Sequence, residues 1–372
     1  MTTQTSAEGN ATRVVVWSTG GIGAIAVRAV AENPSTELVG VWVHSADKAG
    51  RDAGEIVGIG PIGVTATNDA DELIALRPDC VVYAAAGPER DGAAIPDYVR
   101  LLESGINVVT TTVNRLIYPP TFEPEVWRNQ LNDAAAAGGS SLYASGIEPG
   151  FAADHLVLML TTQSKKIRTI KASEVALYDD YPVTDTMMEG MGFGHPLDYV
   201  PMLATPGAIG FQWGPGLQLI AHGLGWEIDE IHENFDRVAT DRDLHVAFGT
   251  AEAGTCGALR TQAIAVVDGR EVITIEHVNK LALDLAPEWG EGGENPVYRV
   301  RIEGEPDISC DMTASLADPS SVGSDMSAGA GAMVSTAMRV VNAIPHVVQA
   351  KPGLLSALDL PLTLPRNALV QA

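Results

Sequence analysis

The chain predicts an α/β fold, with a doubly wound parallel sheet followed by an open mixed sheet. Three observations carry that expectation. Short β-favouring runs alternate with helix patterns through residue 145. Residues 80–86 are apolar without interruption, as in a strand buried on both faces of a parallel sheet. After Phe151 the alternation stops, and β-rich runs crowd together at 168–180 and 258–301.

The first strand lies at 14–17 and runs straight into a small-residue turn and an alanine-rich helix pattern. Gly20 lets the backbone approach a pyrophosphate, and Gly23 lets the helix pack on the strand. The free N–H groups from about Gly21 to Ala24 suit an anion. The spacing is G-x-G-x-x-G with Ser18 in the first glycine place, a Rossmann-type dinucleotide loop in outline. Ser18, Thr19, Gly20, Gly21, Ile22 and Gly23 are therefore candidate cofactor contacts, with Ala85, Ala86 and Thr111 at the ends of later strands.

Asn33-Pro34 punctuates, and 37–45 forms the second strand. A short helix at 52–57, a third strand at 62–65 and an acidic-capped helix at 69–76 follow. The fourth strand is 80–86. A helix at 93–104 stops at Gly105, 107–110 is the fifth strand, 123–137 is helical, and 141–145 is the sixth strand. In the second half, 267–270 (Val-Asp-Gly-Arg) reads as a tight hairpin turn. Residues 182–225 are rich in Gly, Met and Pro with few periodicities. An Ala/Met helix occupies 327–343, and the rest is proline-punctuated.

Composition narrows the function. The 372 residues are 46% hydrophobic and 19% charged, enough for a large core, and the net charge is −24. So acidic a chain does not suit nucleic acid, which is held by neutralising phosphates with Lys and Arg. Three cysteines (Cys80, Cys256, Cys310), with no C-x-x-C pair, build neither a disulfide framework nor a zinc site. Residues 1–12 are a polar tail without the apolar segment of a signal peptide, and no apolar run approaches the roughly 20 residues a membrane span needs. The expectation is a soluble cytoplasmic protein with neither a nucleic-acid nor a membrane partner.

Several stretches taken together resemble the dihydrodipicolinate-reductase-like oxidoreductases, the group that includes 2,4-diaminopentanoate dehydrogenase and native amine dehydrogenases. They are 43–55, Asn107-Val-Val-Thr-Thr111 with Tyr118-Pro119, Gly146-Ile-Glu-Pro-Gly-Phe151, Gly190-Met-Gly-Phe-Gly194, 267–270, 342–347 and Lys351-Pro-Gly353. The resemblance implies a Rossmann-type domain at 13–150, an α+β domain for substrate and dimerisation at 151–324, and a segment 325–372 that packs back onto the first domain. It also implies a nicotinamide cofactor in the cleft, a small-molecule substrate and a homodimer. The His-His-x-x-Lys segment of a true dihydrodipicolinate reductase is missing. The eight histidines, His155, His195, His222 and His277 among them, are scattered, and they read as surface or packed residues with no metal site.

An NAD enzyme of this fold places an acid about 20 residues past the glycine loop. Here the second strand ends in His44 and Ser45, Asp47 comes late, and Lys48 and Arg51 follow. A hydroxyl and two cations suit a 2′-phosphate, so NADP(H) is expected, with NAD(H) as a second cofactor. The other reading makes Lys48 and Arg51 ordinary surface cations.

In the family's amine dehydrogenases a glutamate in the loop after the fifth strand handles the amine. The matching position here holds Asn114 or Arg115, neither of which is a base near neutral pH. The family's loop after the sixth strand carries Asn where this chain has Glu148. That exchange suggests Glu148 as acid/base with Asn114 as an orienting hydrogen-bonder; the other reading makes Glu148 a helix cap. By the same resemblance Tyr178, Asp179 or Asp180, Tyr181, Met191 and Phe193 line the substrate pocket, in a wall shared with Met187, Met188, Phe211 and Trp213. Core or dimer packing is the alternative for each.

The expected function is an NAD(P)H-dependent oxidoreductase that exchanges a hydride between nicotinamide and a small carbonyl, imine or amine. The alternatives are a ketone/alcohol oxidoreductase without amine activity, and an NADP(H)-binding sensor that has lost catalysis.

Overall fold

β1 (Thr12–Trp17) lies inside the first sheet in the computed structural model, which describes residues 11–85, 90–318, 322 and 329–369. Its side chains alternate with period two. Val14 and Val16 pack on one face, Val15 and Trp17 on the other, and all four are buried. A strand buried on both faces needs helices on both faces, and the chain supplies them. α1 (Gly21–Glu32) covers the Val14 face. α3 (Ala70–Ala75), α4 (Arg90–Glu103) and α5 (Glu125–Gly138) cover the Trp17 face.

β2 (Thr36–Trp42), β3 (Ala66–Thr67), β4 (Cys80–Tyr83), β5 (Asn107–Thr110), β6 (Ser141–Ala144) and β15 (Gly353–Leu355) complete a seven-stranded sheet, all parallel, in the order β15-β6-β5-β4-β1-β2-β3. The order reverses at β1, which opens a crevice outside the carboxyl ends of β1 and β4.

Two local departures from the sequence expectations have clear causes. The third strand forms at Ala66–Thr67 rather than 62–65. Asp52, the N-cap of α2 (Ala53–Val57), also accepts from the Ile62 and Gly63 N–H groups, at 3.0 and 2.7 Å, and so holds 62–63 in a turn. The seventh strand, β15, comes from the proline-punctuated tail, where no strand is expected.

After α6 (His155–Thr161) comes the second sheet. It contains β7 (Lys166–Leu177), β8 (Glu230–Ala239), β11 (Cys256–Val267), β12 (Arg270–Lys280), β13 (Val297–Glu305) and β14 (Ile308–Thr313), in the order β14-β13-β7-β12-β11-β8. It is mixed. β7 and β12 run parallel and the other pairs are antiparallel. Asp268 and Gly269, both at positive φ, close the tight β11–β12 hairpin. A small ribbon of β9 (Leu244–Val246) and β10 (Gly249–Ala251) stands beside it.

α7 (Ala208–Leu224) emerges from the stretch with few periodicities. It is buried on two sides, with Leu217 and Ile220 on the second sheet and Leu219 in the core of the first. A helix wedged between two sheets shows no single apolar stripe, and Pro215 with several glycines masks the pattern further. The chain then returns to the first sheet, where α8 (Ala330–Val341) and α9 (Ile344–Val347) pack in the core shared with α1.

Candidate active site

The turn after β1 is shaped for close backbone approach. A Cβ on Gly23 would collide with the Ser18 carbonyl oxygen, so only glycine lets α1 start this close to β1. A Cβ on Gly20 would meet nothing nearer than Ser18 Oγ at 3.5 Å, so one side of the exposed loop is open. Ser18 has φ 107°, the conformation that glycine supplies in the usual motif, and its Oγ accepts from the Gly20 N–H at 3.1 Å. α1 has neither a side-chain cap nor an acid in its first turn. Uncapped N–H groups, an open glycine and a helix dipole fit a pyrophosphate.

The remaining cofactor candidates border the same edge. Lys48 folds back so that Nζ lies 3.3 Å from Thr19 Oγ1, which puts its charge at the glycine loop. His44, Ser45 and Arg51 are exposed, with the His44 ring 6.0 Å from that of Trp42. Ile22 and Thr111 are half-buried and Ala85 is buried, while Ala86 lies outside the described residues. α8 closes the far side. Met333 faces Gly21, and Thr336 Oγ1 accepts from the Ile147 N–H at 3.2 Å, so one helix touches both the glycine loop and the loop after β6.

Glu148 sits in that second loop with its side chain 4% exposed. Its Oε2 accepts from the Ala153 N–H at 3.2 Å, while Oε1 lies 3.2 Å from Nε2 of His277 on β12. The carboxylate therefore both braces its own turn and faces the second sheet. The N-cap of α6 is Asp154. Nδ1 of His277 lies 3.2 Å from Oε2 of Glu174 on β7. The Trp213 ring of α7 stacks on the imidazole at 4.5 Å.

Burial by itself would lower the His277 pKa, but the two carboxylates outweigh it and hold the group up at about 9. The imidazole is thus a cation at neutral pH, as its stacking on an indole face suits. Burial raises the pKa of Glu148, partly offset by His277. Burial and then the charge of Glu148 push Asp154 up to about 7. This is a desolvated acid–base cluster, the kind of environment that tunes groups for proton transfer.

The strand register explains how the cluster forms. Phe235, Thr261, His277, Glu174, Tyr298 and Met312 are successive partners across all six strands, a single row over the sheet. None of Thr261, His277, Glu174 or Tyr298 is singled out as a site residue by the sequence. The available signal is a polar residue in the apolar phase of a strand: Glu174 between Ala172 and Ala176, His277 in phase with Ile273 and Ile275.

The other candidates lie as follows. Asn114 is half-buried and starts a 3-10 turn (Asn114–Ile117) whose other residues are buried, packed against β6 and α7. Arg115 is committed elsewhere. Its guanidinium pairs with Asp91 at 3.1 Å, donates to the Glu123 carbonyl and lies 3.9 Å from the Phe211 ring centroid. Tyr178, Met191 and Phe193 share an apolar cluster with Met187, Phe248 and Leu259, Phe193 being wholly buried and Tyr178 packed edge-on to Tyr181. Asp180 is half-buried at the end of β7. Among the described residues no group of His, Cys, Asp and Glu could hold a metal ion.

Residues 151–371, well over half of the chain, match the family model described as 2,4-diaminopentanoate dehydrogenase C-terminal domain. The chain belongs to the 2,4-diaminopentanoate dehydrogenase family. Residues 12–87 match the model for dihydrodipicolinate reductase, N-terminus. An amine dehydrogenase of Streptomyces virginiae is 39% identical over 353 residues, covering 94% of this chain and 96% of the relative. The 2,4-diaminopentanoate dehydrogenase of Acetoanaerobium sticklandii is 27% identical over 267 residues, 70% and 68% of the two chains. A solved amine dehydrogenase from Mycobacterium smegmatis superposes with a TM-score of 0.75 at 20% identity, over 96% of this chain and 98% of that one, and so shares the fold.

Membership of this 2,4-diaminopentanoate dehydrogenase family makes the chain an NAD(P)-dependent oxidoreductase with a Rossmann-type first sheet. The uncapped start of α1, the open side of Gly20 and the Lys48 charge at the glycine loop are features that suit a nicotinamide dinucleotide. Among the described residues no helix is long and apolar enough to cross a membrane.

Proposed function

We infer that this chain is an amine dehydrogenase that prefers NADP(H), and that it interconverts a small, largely apolar primary amine with its carbonyl compound and ammonia. When bound, the nicotinamide exchanges a hydride with the carbon that carries the nitrogen. The observation that carries the reading is the contact of His277 with two carboxylates, Glu148 and Glu174. One imidazolium between two carboxylates leaves an excess negative charge in a buried site. An ammonium substrate balances that charge, whereas a neutral alcohol or ketone does not.

Within this reading Glu148 is the acid/base. It takes a proton from the nitrogen or from water, and its burial raises its affinity for a proton. His277 holds the carboxylate in place and moderates its charge. Tyr178, Met191, Phe193 and Asp180 border the substrate side, and Asn114 orients the substrate by hydrogen bonding. For the cofactor, Lys48 beside Thr19, with Ser45 and Arg51 on the following turn, supports a 2′-phosphate in preference to a 2′-hydroxyl.

Two coarser expectations complete the proposal. The face of the second sheet opposite α7 carries paired charges such as Lys171–Glu276 and Arg260–Asp236, a surface suited to a homodimer. The three cysteines are free thiols, which suits the reducing cytoplasm.

The deciding experiment supplies the purified protein with NADPH and a panel of ketones, with and without ammonia. Ammonia-dependent oxidation of NADPH supports the amine reading. Ammonia-independent oxidation supports a ketone/alcohol oxidoreductase, the reading favoured by Asn114 or Arg115 in the place of the family's glutamate. Tight NADPH binding without turnover of any ketone or amine supports the sensor.

A further inference from the structure

Arg339 on α8 is a half-buried cation without an acid. Its guanidinium donates to Thr363 Oγ1 at 3.1 Å, to the Tyr143 hydroxyl at 3.4 Å and to His155 Nδ1 at 3.1 Å. All three acceptors are neutral. Burial, and then the Arg339 charge, lower the His155 pKa to about 4, so its imidazole is uncharged at neutral pH. The Arg339 Nε–H is buried and has no acceptor, and among the described residues no carboxylate pairs with this arginine. The chain holds 47 acidic residues against 23 Lys and Arg, so a half-buried arginine left unpaired is against the composition.

Arg339 lines a cavity of about 220 Å³ between α8, β14 and the loop after β6. Most of the wall is apolar, built by Ile147, Phe151, Met312 and Met338. The Phe151 ring centroid lies 4.8 Å from the guanidinium carbon. Asn342 borders the same cavity, and its side chain has no partner among the described residues. Ser335 spends its proton on the Gly331 carbonyl at 3.0 Å, so Arg339 and Asn342 are the donors of the wall. The cavity stands behind the Glu148 loop. Ile147 and Phe151 border it, whereas the Glu148 carboxylate is turned to His277.

These features select a ligand chemistry. A charged N–H held away from water without an acceptor is costly, and an anion removes that cost. The planar fork of a guanidinium matches a carboxylate. One cation balances one negative charge, so a phosphate dianion would leave an excess against apolar walls. The volume is below the roughly 300–1,000 Å³ of sites for drug-sized ligands, which limits the occupant to a short chain or a single ring.

We propose that this cavity is a binding site for a small carboxylate with an apolar tail. The carboxylate sits on Arg339 and Asn342, and the tail lies between Phe151, Met312 and Met338. The ligand is distinct from the reactants, because it leans on Ile147 and Phe151, on either side of Glu148 in the chain, without touching the Glu148–His277 pair. The site does not depend on the amine reading.

The test is calorimetric titration of the protein with hexanoate at saturating NADPH, which keeps the glycine loop filled. One hexanoate should bind per chain. Hexanamide has the same shape without the charge and should bind at least about ten-fold more weakly. Ser335→Leu places a larger side chain in the cavity and should abolish hexanoate binding while the Kd of NADPH is nearly unchanged. Arg339→Lys keeps the charge but loses the planar fork, and should weaken hexanoate by about ten-fold. A crystal structure of the NADPH complex with hexanoate should place the carboxylate within about 3 Å of the guanidinium.

The absence of saturable binding to the wild type overturns the proposal, and so does equal affinity for hexanamide. A Ser335→Leu protein that binds NADPH and still takes up hexanoate overturns it too, since the carboxylate is then seated elsewhere. If Ser335→Leu does not fold, the crystal structure decides, and a carboxylate away from Arg339 overturns the site.

Discussion

Glu148 and His277 meet across the seam between the two sheets. The carboxylate comes from the loop after the last central strand of the first sheet, the imidazole from the middle of the second, and Oε1 and Nε2 lie 3.2 Å apart. His277 also meets Glu174 within its own sheet, at 3.2 Å, but Glu148 reaches this imidazole from the other sheet, so the full acid–base cluster exists only when the two sheets are packed together. The predictions follow from that dependence.

Glu148→Gln keeps the size of the side chain and an oxygen for the Ala153 N–H, but removes the titrating group. Turnover should fall by about 10²–10⁴-fold, the usual worth of a positioned acid/base, with the Kd of NADPH nearly unchanged. The acid limb of the pH–rate profile should vanish. A variant that keeps wild-type turnover would leave Glu148 as the brace of its own turn.

His277→Gln tests the charge balance. In the wild type His277 partly offsets the effect of burial on Glu148. Without it the carboxyl holds its proton more tightly, and the acid limb of kcat/KM should move to higher pH. An unmoved limb would show that His277 does not tune Glu148.

Stability should also depend on pH through His277. The folded group titrates at about 9 against an ordinary 6.5, so its contribution is full below about 6.5 and is lost as the pH rises through about 9. Asp154, raised from 3.8 to about 7, makes stability fall with rising pH over a lower window, between those two values. The melting temperature should therefore drop from pH 6.5 to 9, and His277→Gln should flatten that part of the curve. Equal slopes for wild type and variant in that window would remove His277 as the cause.

The glycine loop gives a paired experiment on the cofactor site. Gly20→Val projects into open space, so the protein should fold with an unchanged melting temperature yet lose binding of both NADPH and NADH. Gly23→Ala drives a methyl into the Ser18 carbonyl and should destabilise the fold itself. In the same titrations Lys48→Ala/Arg51→Ala should weaken NADPH more than NADH. A double variant with unchanged NADPH affinity would refute the 2′-phosphate assignment.

Assembly is checked by sedimentation. At micromolar concentration the chain should run at about twice its 39.0 kDa mass. A single species at the monomer mass would refute the dimer.

The sequence by itself determined the parts that depend on near neighbours. The β1 run, the turn at Ser18–Gly23 and the start of α1 are adjacent in the chain, so spacing alone marked the glycine loop. The Val-Asp-Gly-Arg hairpin is equally local, because its positive-φ residues are read from the turn. Glu148 was visible as a departure from the family's motif, though not as the partner of a histidine.

Tertiary structure decided what is made from distant segments. Glu174 and His277 belong to strands about a hundred residues apart that pair only in the folded sheet, and Thr261 joins them through register. The engagement of Arg115 with Asp91 and Phe211 is likewise spatial, and only packing reveals it. α7 escaped periodicity because two sheets bury it from opposite sides. Local pattern records which face of an element is buried. It does not record what lies across the gap, and the charges of this site act only across that gap.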